Sequence, residues 1–330
     1  MKTHALYFGL AALPALGWLA PAHAVVLEQK WQTGQNLFYQ TALNGTANVQ
    51  APANAPFIFA GVPLEVEIQG AGLAQLQTLE VDKNGIGTVL MRVPKFDLQA
   101  QALGQKGRYL LSDASSKVTL NGKTLKVGDG KNPFADPKVA WRISRQGRFL
   151  GVKELEKPKV TAPEADDAPV APTAAIDRSA LLMASIIRAL PTLWPGRDVQ
   201  TGETWKANIS WPTPSPTNSG QTTQTQFGDW NLTLQNTETV AGRALHRVAV
   251  KGNLKVDSAQ FEATKTVNKA KPSGKTAQTV SGDLWFDAAA GQIVRADLVL
   301  GARVEGGQNA ESQAWADFTG TLQLNLQNSA

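Results

Sequence analysis

The feature that most constrains this chain is the alternation of apolar and polar residues over long stretches. In Leu64-Glu65-Val66-Glu67-Ile68-Gln69, for example, every second residue is apolar. Successive side chains of a β-strand point to opposite faces, so the pattern predicts antiparallel strands with one buried face. Long alternating segments also fill the C-terminal half, at 230–236, 244–257, 276–287, 292–304 and 312–327. Strands of this length are typical of strongly curved sheets or partial barrels.

Tight turns separate the alternating segments. Asn84-Gly85 and Asn121-Gly122 are pairs that tolerate positive φ, as primed hairpin turns require. The stretch SGDLWFDAAAGQIVRADLVL, residues 281–300, predicts a hairpin that turns between Asp287 and Gly291. In this hairpin we expect Trp285 and Ile293 to bury the same face.

Two internal echoes predict a pair of related β units. Gln32-Thr33-Gly34 recurs as Gln200-Thr201-Gly202 before a strand that contains aromatics. The spacing from Trp141 to Gly147 is repeated from Trp285 to Gly291. Because both echoes occur in the same order in the two halves, they favour a duplicated arrangement.

A linker and a helix are predicted between the two units. Residues 157–175 are rich in Pro, Ala and acidic residues, and have no apolar period. Asp177 can cap a helix that continues to Leu190, with Leu182 and Ile186 on one face and Pro191 after its end. The predicted fold is therefore mainly β. It has two related curved antiparallel sheets, in units 25–156 and 176–330, with one amphipathic helix between them.

The first 24 residues have the form of a secretory signal peptide. Lys2 is followed by an apolar stretch and by the small-x-small site Ala22-His23-Ala24. We therefore expect export to the periplasm or the medium, with a mature chain that begins near Val25. No later segment has the apolar length of a membrane-spanning helix. The chain has no cysteine, so neither disulfides nor a lipid-anchored cysteine are available.

The charge distribution does not favour nucleic acid as a partner. The formal net charge is +5, and the basic residues are scattered among polar residues in predicted hairpins. A nucleic-acid-binding surface would concentrate them in a stripe with interleaved aromatics.

Few residues of the chain are suited to catalysis or to metal binding. His246 is the single histidine after the predicted leader, and no G-x-S-x-G elbow is present. We expect no metal and no cofactor, and we assign no catalytic residue. A glycosidase-like carboxylate pair remains an alternative, with Glu65 and Glu67 on one strand and Glu80 and Asp82 on a neighbouring strand.

Tryptophan is the unusual component, with nine residues against three tyrosines. A set of indole rings that lines a curved sheet would suit an acyl chain, a glycan or another apolar ligand. The predicted ligand-binding residues are Trp205, Trp285 and Trp315 on the sheet, together with Leu182 and Ile186 on the covering helix. The alternative is that the tryptophans fill the cores of the two units.

Two resemblances agree with this interpretation. The segment from Leu190 to Trp205, with Leu-Pro, a short spacer and Gly-Glu-Thr-Trp, resembles a junction in an uncharacterised family of exported bacterial proteins, the DUF6263 type. That resemblance would extend over residues 29–326. The pattern from Gly282 to Gly291 is similar to hairpins of periplasmic lipoprotein carriers, which implies a curved sheet that holds acyl chains beneath a helical lid. Neither resemblance brings catalytic residues.

The sequence therefore predicts an exported, non-enzymatic β protein that binds or carries a hydrophobic ligand. Its expected partner is an apolar small molecule. An envelope structural or protein-interaction module that uses exposed strand edges is the alternative. A hydrolase that uses Glu65 or Glu67 is a third hypothesis.

Overall fold

A computed structural model describes residues 24–51, 53, 61–125, 130–132, 134–135, 137, 139–155, 193–214, 222–257, 274–306 and 314–327. The regular structure in these residues is antiparallel β-sheet, which confirms the mainly β, antiparallel class. The predicted leader up to residue 23, the linker at 157–175 and the helix at 176–190 lie outside the described residues.

Sixteen strands are described, several of them longer than is usual in globular proteins. They are β1 (Val25–Val26), β2 (Asn36–Gln50), β3 (Pro63–Val81), β4 (Gly87–Ala102), β5 (Gln105–Leu111), β6 (Ser116–Leu120), β7 (Lys123–Leu125), β8 (Val139–Ile143), β9 (Phe149–Glu154), β10 (Asp198–Val199), β11 (Thr204–Pro214), β12 (Thr222–Val240), β13 (Arg243–Asp257), β14 (Gly274–Asp287), β15 (Gln292–Gly306) and β16 (Ala314–Gln327).

The prediction of two separate sheets is wrong, because one 14-stranded sheet includes both halves of the chain. Its order is β11-β12-β13-β14-β15-β16-β2-β3-β4-β5-β6-β7, with β8 and β9 attached to β4. The joint between the halves is the ladder of β16 with β2, which runs from Trp315–Gln50 to Gln327–Phe38. Two separate sheets would leave both of these long strands as unpaired edges, and their pairing removes those edges.

The two ends of the sheet differ in the strand that pairs with β4. Its first residues pair with β8, whereas its second half, from Phe96 to Ala102, pairs with β5. We call the end with the turns 82–85, 144–147, 241–242 and 288–291 the plugged end. The end with the turns 103–104 and 121–122 is the open end. Cα atoms of β9 approach those of β11 within 8 Å, although β11 begins the strand order and β9 is attached through β8 to β4. The sheet therefore curls, and no ladder between β9 and β11 closes it in the described residues.

At the plugged end, the inside of the curl is filled by two short segments. Leu27 comes from the first segment, and Leu193, Trp194 and Val199 come from the second. All four are buried against apolar side chains of β11 to β16. The strands β1 and β10, which belong to these segments, pair with each other as Val25–Val199 and Val26–Asp198.

The N-terminal segment 24–35 is tied to several parts of the plugged end, and we call it the strap. The Gln29 N–H donates to the Arg145 carbonyl at 2.6 Å, and the Lys30 N–H donates to the Gly291 carbonyl at 3.2 Å. Trp31 packs on Gly87, where a β-carbon would come 2.6 Å from the indole Cγ. The strap thus links the β8–β9 turn to the β14–β15 turn.

The Gln-Thr-Gly echo corresponds to two turns with the same hydrogen bonds. The Gly34 N–H donates to Thr78 on β3, and the Gly202 N–H donates to Leu234 on β12. In each case the residue on the neighbouring strand donates in return, to Gln35 and to Glu203 respectively. Both glycines have positive φ, 81° and 86°. The sequence echo therefore marks equivalent places at which β2 and β11 begin.

Candidate ligand-binding face

Burial along the single strand β15 shows where the apolar face of the sheet is covered. Ala296 and Leu298 are buried at the plugged end, with 0% and 3% of their surface exposed. Leu300 and Ala302, further along the same face, are half-buried, and Val304 is 46% exposed. One apolar stripe thus passes from the core of the plugged end to an uncovered surface at the open end.

Neighbouring strands repeat this gradient in register. Leu322 on β16 is buried, whereas Phe318 and Ala316 on the same face are half-buried. Leu322 pairs with Leu43 of β2, which is half-buried in turn and pairs with Gly70 of β3. We call the following half-buried or exposed residues the open face: Leu43, Val49, Leu64, Val66, Ile68, Leu98, Ala100, Leu300, Ala302, Val304, Ala316 and Phe318.

Glycines on the open face leave room for two aromatic rings to lie directly on the backbone. A β-carbon on Gly45 or on Gly320 would come 2.8 or 2.5 Å from the Phe318 ring. On the neighbouring strands, a β-carbon on Gly72 would come 2.6 Å from Cδ2 of Phe96. Each ring therefore lies flat on bare backbone, and larger residues at these glycines would lift it away from the sheet.

Three tryptophans of the core at the plugged end are held by one hydrogen bond and by ring packing. The Trp205 Nε1 donates to the Leu193 carbonyl at 2.8 Å. Trp194 packs against Phe286 with ring centroids 4.1 Å apart. The Trp230 ring lies over Gly252, where a β-carbon would come 2.6 Å from the indole Cγ. These residues are buried, so they fill the core, which is the alternative raised for the tryptophans.

The structure does not bring the predicted ligand-binding residues together. Trp205 is buried in the core at the plugged end. Trp285 and Trp315 lie on the opposite, polar face of the sheet, which corrects their expected place beside an apolar cavity. Leu182 and Ile186 lie outside the described residues.

Trp285 is held among charged side chains rather than apolar ones. Its ring has the guanidinium of Arg295 at 4.7 Å and that of Arg247 at 5.8 Å, and its Nε1 donates to Glu238 at 3.1 Å. Phe286, not Trp285, shares a buried face with Ile293, because the register shifts between Trp285 and Phe286. Consecutive apolar residues in Leu284-Trp285-Phe286 left the facing of this strand ambiguous in the sequence.

Trp315 occupies a similar place on β16. Its Nε1 donates to the Gln50 side chain at 2.9 Å across the ladder that joins the halves. The guanidinium of Arg303 lies 6.0 Å from its ring. Both tryptophans therefore stabilise the polar face through cation–π contacts.

The carboxylates proposed for a hydrolase do not lie on two neighbouring strands, because Glu65, Glu67 and Glu80 all belong to β3 and Asp82 follows its end. Glu65 and Glu67 are exposed on the polar face of β3. Glu80 accepts hydrogen bonds from Lys153 at 2.6 Å and from Thr88 at 3.0 Å, and these bonds hold its pKa below the usual value. Asp82 has a lowered pKa because its carboxylate accepts the N–H groups of Ile86 and Asn84 in the turn. A general acid needs a raised pKa instead.

His246 is half-buried on β13, beside a hydroxyl. Its Nδ1 lies 3.0 Å from Thr237 Oγ1. Burial lowers the pKa of the imidazole, and the charge of Asp287 opposes that shift. In the described part of the chain, no group of three or more His, Cys, Asp or Glu residues is arranged to hold a metal ion.

A separate cleft of about 350 Å³ lies at the plugged end, between the strap and the β3–β4 turn. Its wall includes Trp31 and charged groups of both signs, among them Glu28, Lys83 and Arg145. This mixture makes the cleft unsuitable for an apolar ligand, in contrast to the open face.

Comparison with known proteins gives no assignment. No family model and no curated protein matches the chain. Pseudomonas aeruginosa OpdK with vanillate shares 8% identity at a TM-score of 0.14, over 89% of this chain and 98% of that one. Botulinum neurotoxin type C, which interacts with two ganglioside molecules, shares 9% identity at 0.11, over 94% of each chain. TM-scores this low do not assign a fold or a function to the chain. The resemblance to the exported DUF6263 type stays a prediction.

The described residues contain no helix that is long and apolar enough to cross a membrane.

Proposed function

We propose that this protein is an exported, non-enzymatic binder of an elongated hydrophobic ligand, such as the acyl chain of a lipid, and that the open face is its binding site. The observation that carries this proposal is the exposure gradient along β15, from buried Leu298 to exposed Val304. An apolar patch that continues uncovered from a core is a common mark of a binding surface.

The chemistry of the open face favours an acyl chain over a glycan. In the five strands that form it, β2, β3, β4, β15 and β16, no charged side chain lies between its apolar residues. Sugar hydroxyls that are buried there would lose water without gaining hydrogen-bond partners, which is costly. An alkyl chain has no such cost and gains from the area that it covers.

The shape of the sheet defines how such a ligand would lie. The buried side chains of Leu27, Leu193 and Trp194 fill the inside of the curl at the plugged end. An apolar chain therefore lies at the open end, against the flat rings of Phe318 and Phe96.

The two alternative functions have less support. A protein-interaction module would use sheet edges, but the two ends of the strand order have features that discourage strand addition. The strand β7 has three residues and begins with Lys123, and β11 ends with Pro212 and Pro214, which lack a backbone N–H. A hydrolase that uses Glu65 or Glu67 would have its carboxylate exposed on the polar face of β3, and the pKa values of the other two candidates, Glu80 and Asp82, are lowered rather than raised.

The experiment is native mass spectrometry of the mature protein, purified without detergent from a host that exports it. Organic extraction then identifies any released molecule. We expect a lipid or another apolar molecule at near-stoichiometric occupancy. A ligand-free mass that persists after incubation with membrane lipids would overturn the proposal and favour the interaction module.

A further inference from the structure

The turn between β4 and β5 carries a leucine where the backbone disfavours one. Leu103 has φ of 49° and Gly104 has φ of 74°, the left-handed pair of a primed hairpin turn. Asn, Asp and Gly are the residues that suit the first of these positions, since a large side chain is strained there. Leu103 is also 62% exposed, so packing within the described chain does not compensate for the strain.

A neighbouring turn shows the ordinary solution. Asn121 and Gly122, between β6 and β7, have φ of 48° and 80°. The two turns lie side by side, because Asn121 donates its N–H to the Lys106 carbonyl and accepts the Lys106 N–H on Oδ1, both at 2.8 Å. The same left-handed position is thus occupied by asparagine in one hairpin and by an exposed leucine in the next.

The surroundings of Leu103 combine further apolar exposure with positive charge. Leu120, beside the second turn, is 41% exposed. Lys106 and Lys123 flank the two turns, and neither ammonium group has a salt-bridge partner in the described residues. Across the ladders, Gln101 lies between Lys106 and the acidic Glu67, so these two charged residues are two strands apart.

We propose that the tips of these two hairpins dock on a bilayer surface that contains anionic phospholipid. Leu103 and Leu120 enter the interface, while the ammonium groups of Lys106 and Lys123 remain at the level of the phosphates. The tips belong to the open end, so docking would bring that end of the open face close to the membrane. The inference goes beyond the proposed function, because docking requires no bound ligand.

The test is vesicle flotation of the mature protein with phosphatidylcholine vesicles, with and without phosphatidylglycerol. We expect wild-type protein to float with the phosphatidylglycerol vesicles. Leu103→Asn should weaken this binding about tenfold, because an exposed leucine is lost from the interface. Its melting temperature should be unchanged or higher, since asparagine suits the turn. Lys106→Gln should weaken binding about fivefold, and only to the anionic vesicles.

The matched control is Ala241→Asn. Ala241 has φ of 50° in the β12–β13 turn, at the plugged end of the sheet. Asparagine should relieve strain there as well, but it should leave vesicle binding unchanged. The proposal is overturned if wild-type protein floats with neither vesicle, or if Leu103→Asn floats as well as wild type. Ligand retention is measured separately by extraction, so failure here is distinguishable from failure of the open face.

Discussion

Gly291 and Lys30 touch so closely that residue 291 has no room for a side chain. A β-carbon on Gly291 would come 2.5 Å from the β-carbon of Lys30, whose N–H donates to the Gly291 carbonyl at 3.2 Å. The Lys30 ammonium also donates to the Ala288 carbonyl at 2.8 Å. The strap is therefore seated on the β14–β15 turn by backbone, side-chain and steric fit together.

Gly291→Ala should destabilise the protein strongly. Gly291 has φ of 67°, so alanine adds backbone strain to the clash with Lys30, for a combined loss of about 3 kcal/mol. Gly242→Ala is the matched control, because its φ is 77° but nothing lies within 4 Å of its β-carbon. It should cost about 1 kcal/mol in urea denaturation. Equal losses would mean that the strap does not pack on the turn.

Tyr39→Phe should remove a link between the two halves of the chain. The Tyr39 hydroxyl on β2 donates to the Ile293 carbonyl on β15 at 3.0 Å, past the last β15–β16 pair, Arg295–Asn325. Loss of this half-buried hydrogen bond should cost about 1 kcal/mol of unfolding free energy at neutral pH. A variant as stable as wild type would show that the bond contributes nothing.

The dependence of stability on pH above neutrality provides a second test of Tyr39. Burial raises the phenol pKa above its usual value of 10.0. The unfolded chain therefore loses this proton first as the pH rises past 10.0, and the wild-type protein loses stability there. The Phe variant lacks this contribution, so thermal melts should converge with those of wild type at high pH.

His246 should make stability decline in mild acid. Burial lowers the imidazole pKa in the folded state below the usual 6.5, so the unfolded chain takes up a proton first as the pH falls. The contribution is fully present above 6.5 and is lost below it. His246→Asn should flatten the change in melting temperature between about pH 7 and pH 5. Parallel curves for the two proteins would contradict this assignment.

Two adjacent residues of β15 point to opposite faces of the sheet, so each face can be tested separately. Leu300→Gln places an amide on the open face and should weaken binding of a fluorescent fatty acid about tenfold. Val299→Gln makes a similar change on the polar face, where Val299 is 48% exposed, and should leave binding unchanged. The proposed site is wrong if the two variants bind alike.

The sequence predicted the local features of the fold with some success. Alternation at Leu64 to Gln69 identified strands with one apolar face, and the turns at Asn121-Gly122 and at 287–291 are present. The Gln-Thr-Gly echo marked two turns with equivalent hydrogen bonds. Each of these properties depends on a few consecutive residues, through the two-residue period of a strand and the φ preferences of glycine and asparagine.

Only the tertiary structure decided which part of the apolar face is covered and which part is exposed. Whether Leu298 is buried and Val304 exposed depends on the strap and on Trp194, far away in sequence. The pairing of β2 with β16 converts two predicted sheets into one, and a register shift after Trp285 places Ile293 on the buried face with Phe286 rather than with Trp285. Alternation of residues determines that a strand has an apolar and a polar face. It does not determine which segments cover the apolar face or which strands pair, because both depend on contacts between residues that are far apart in sequence.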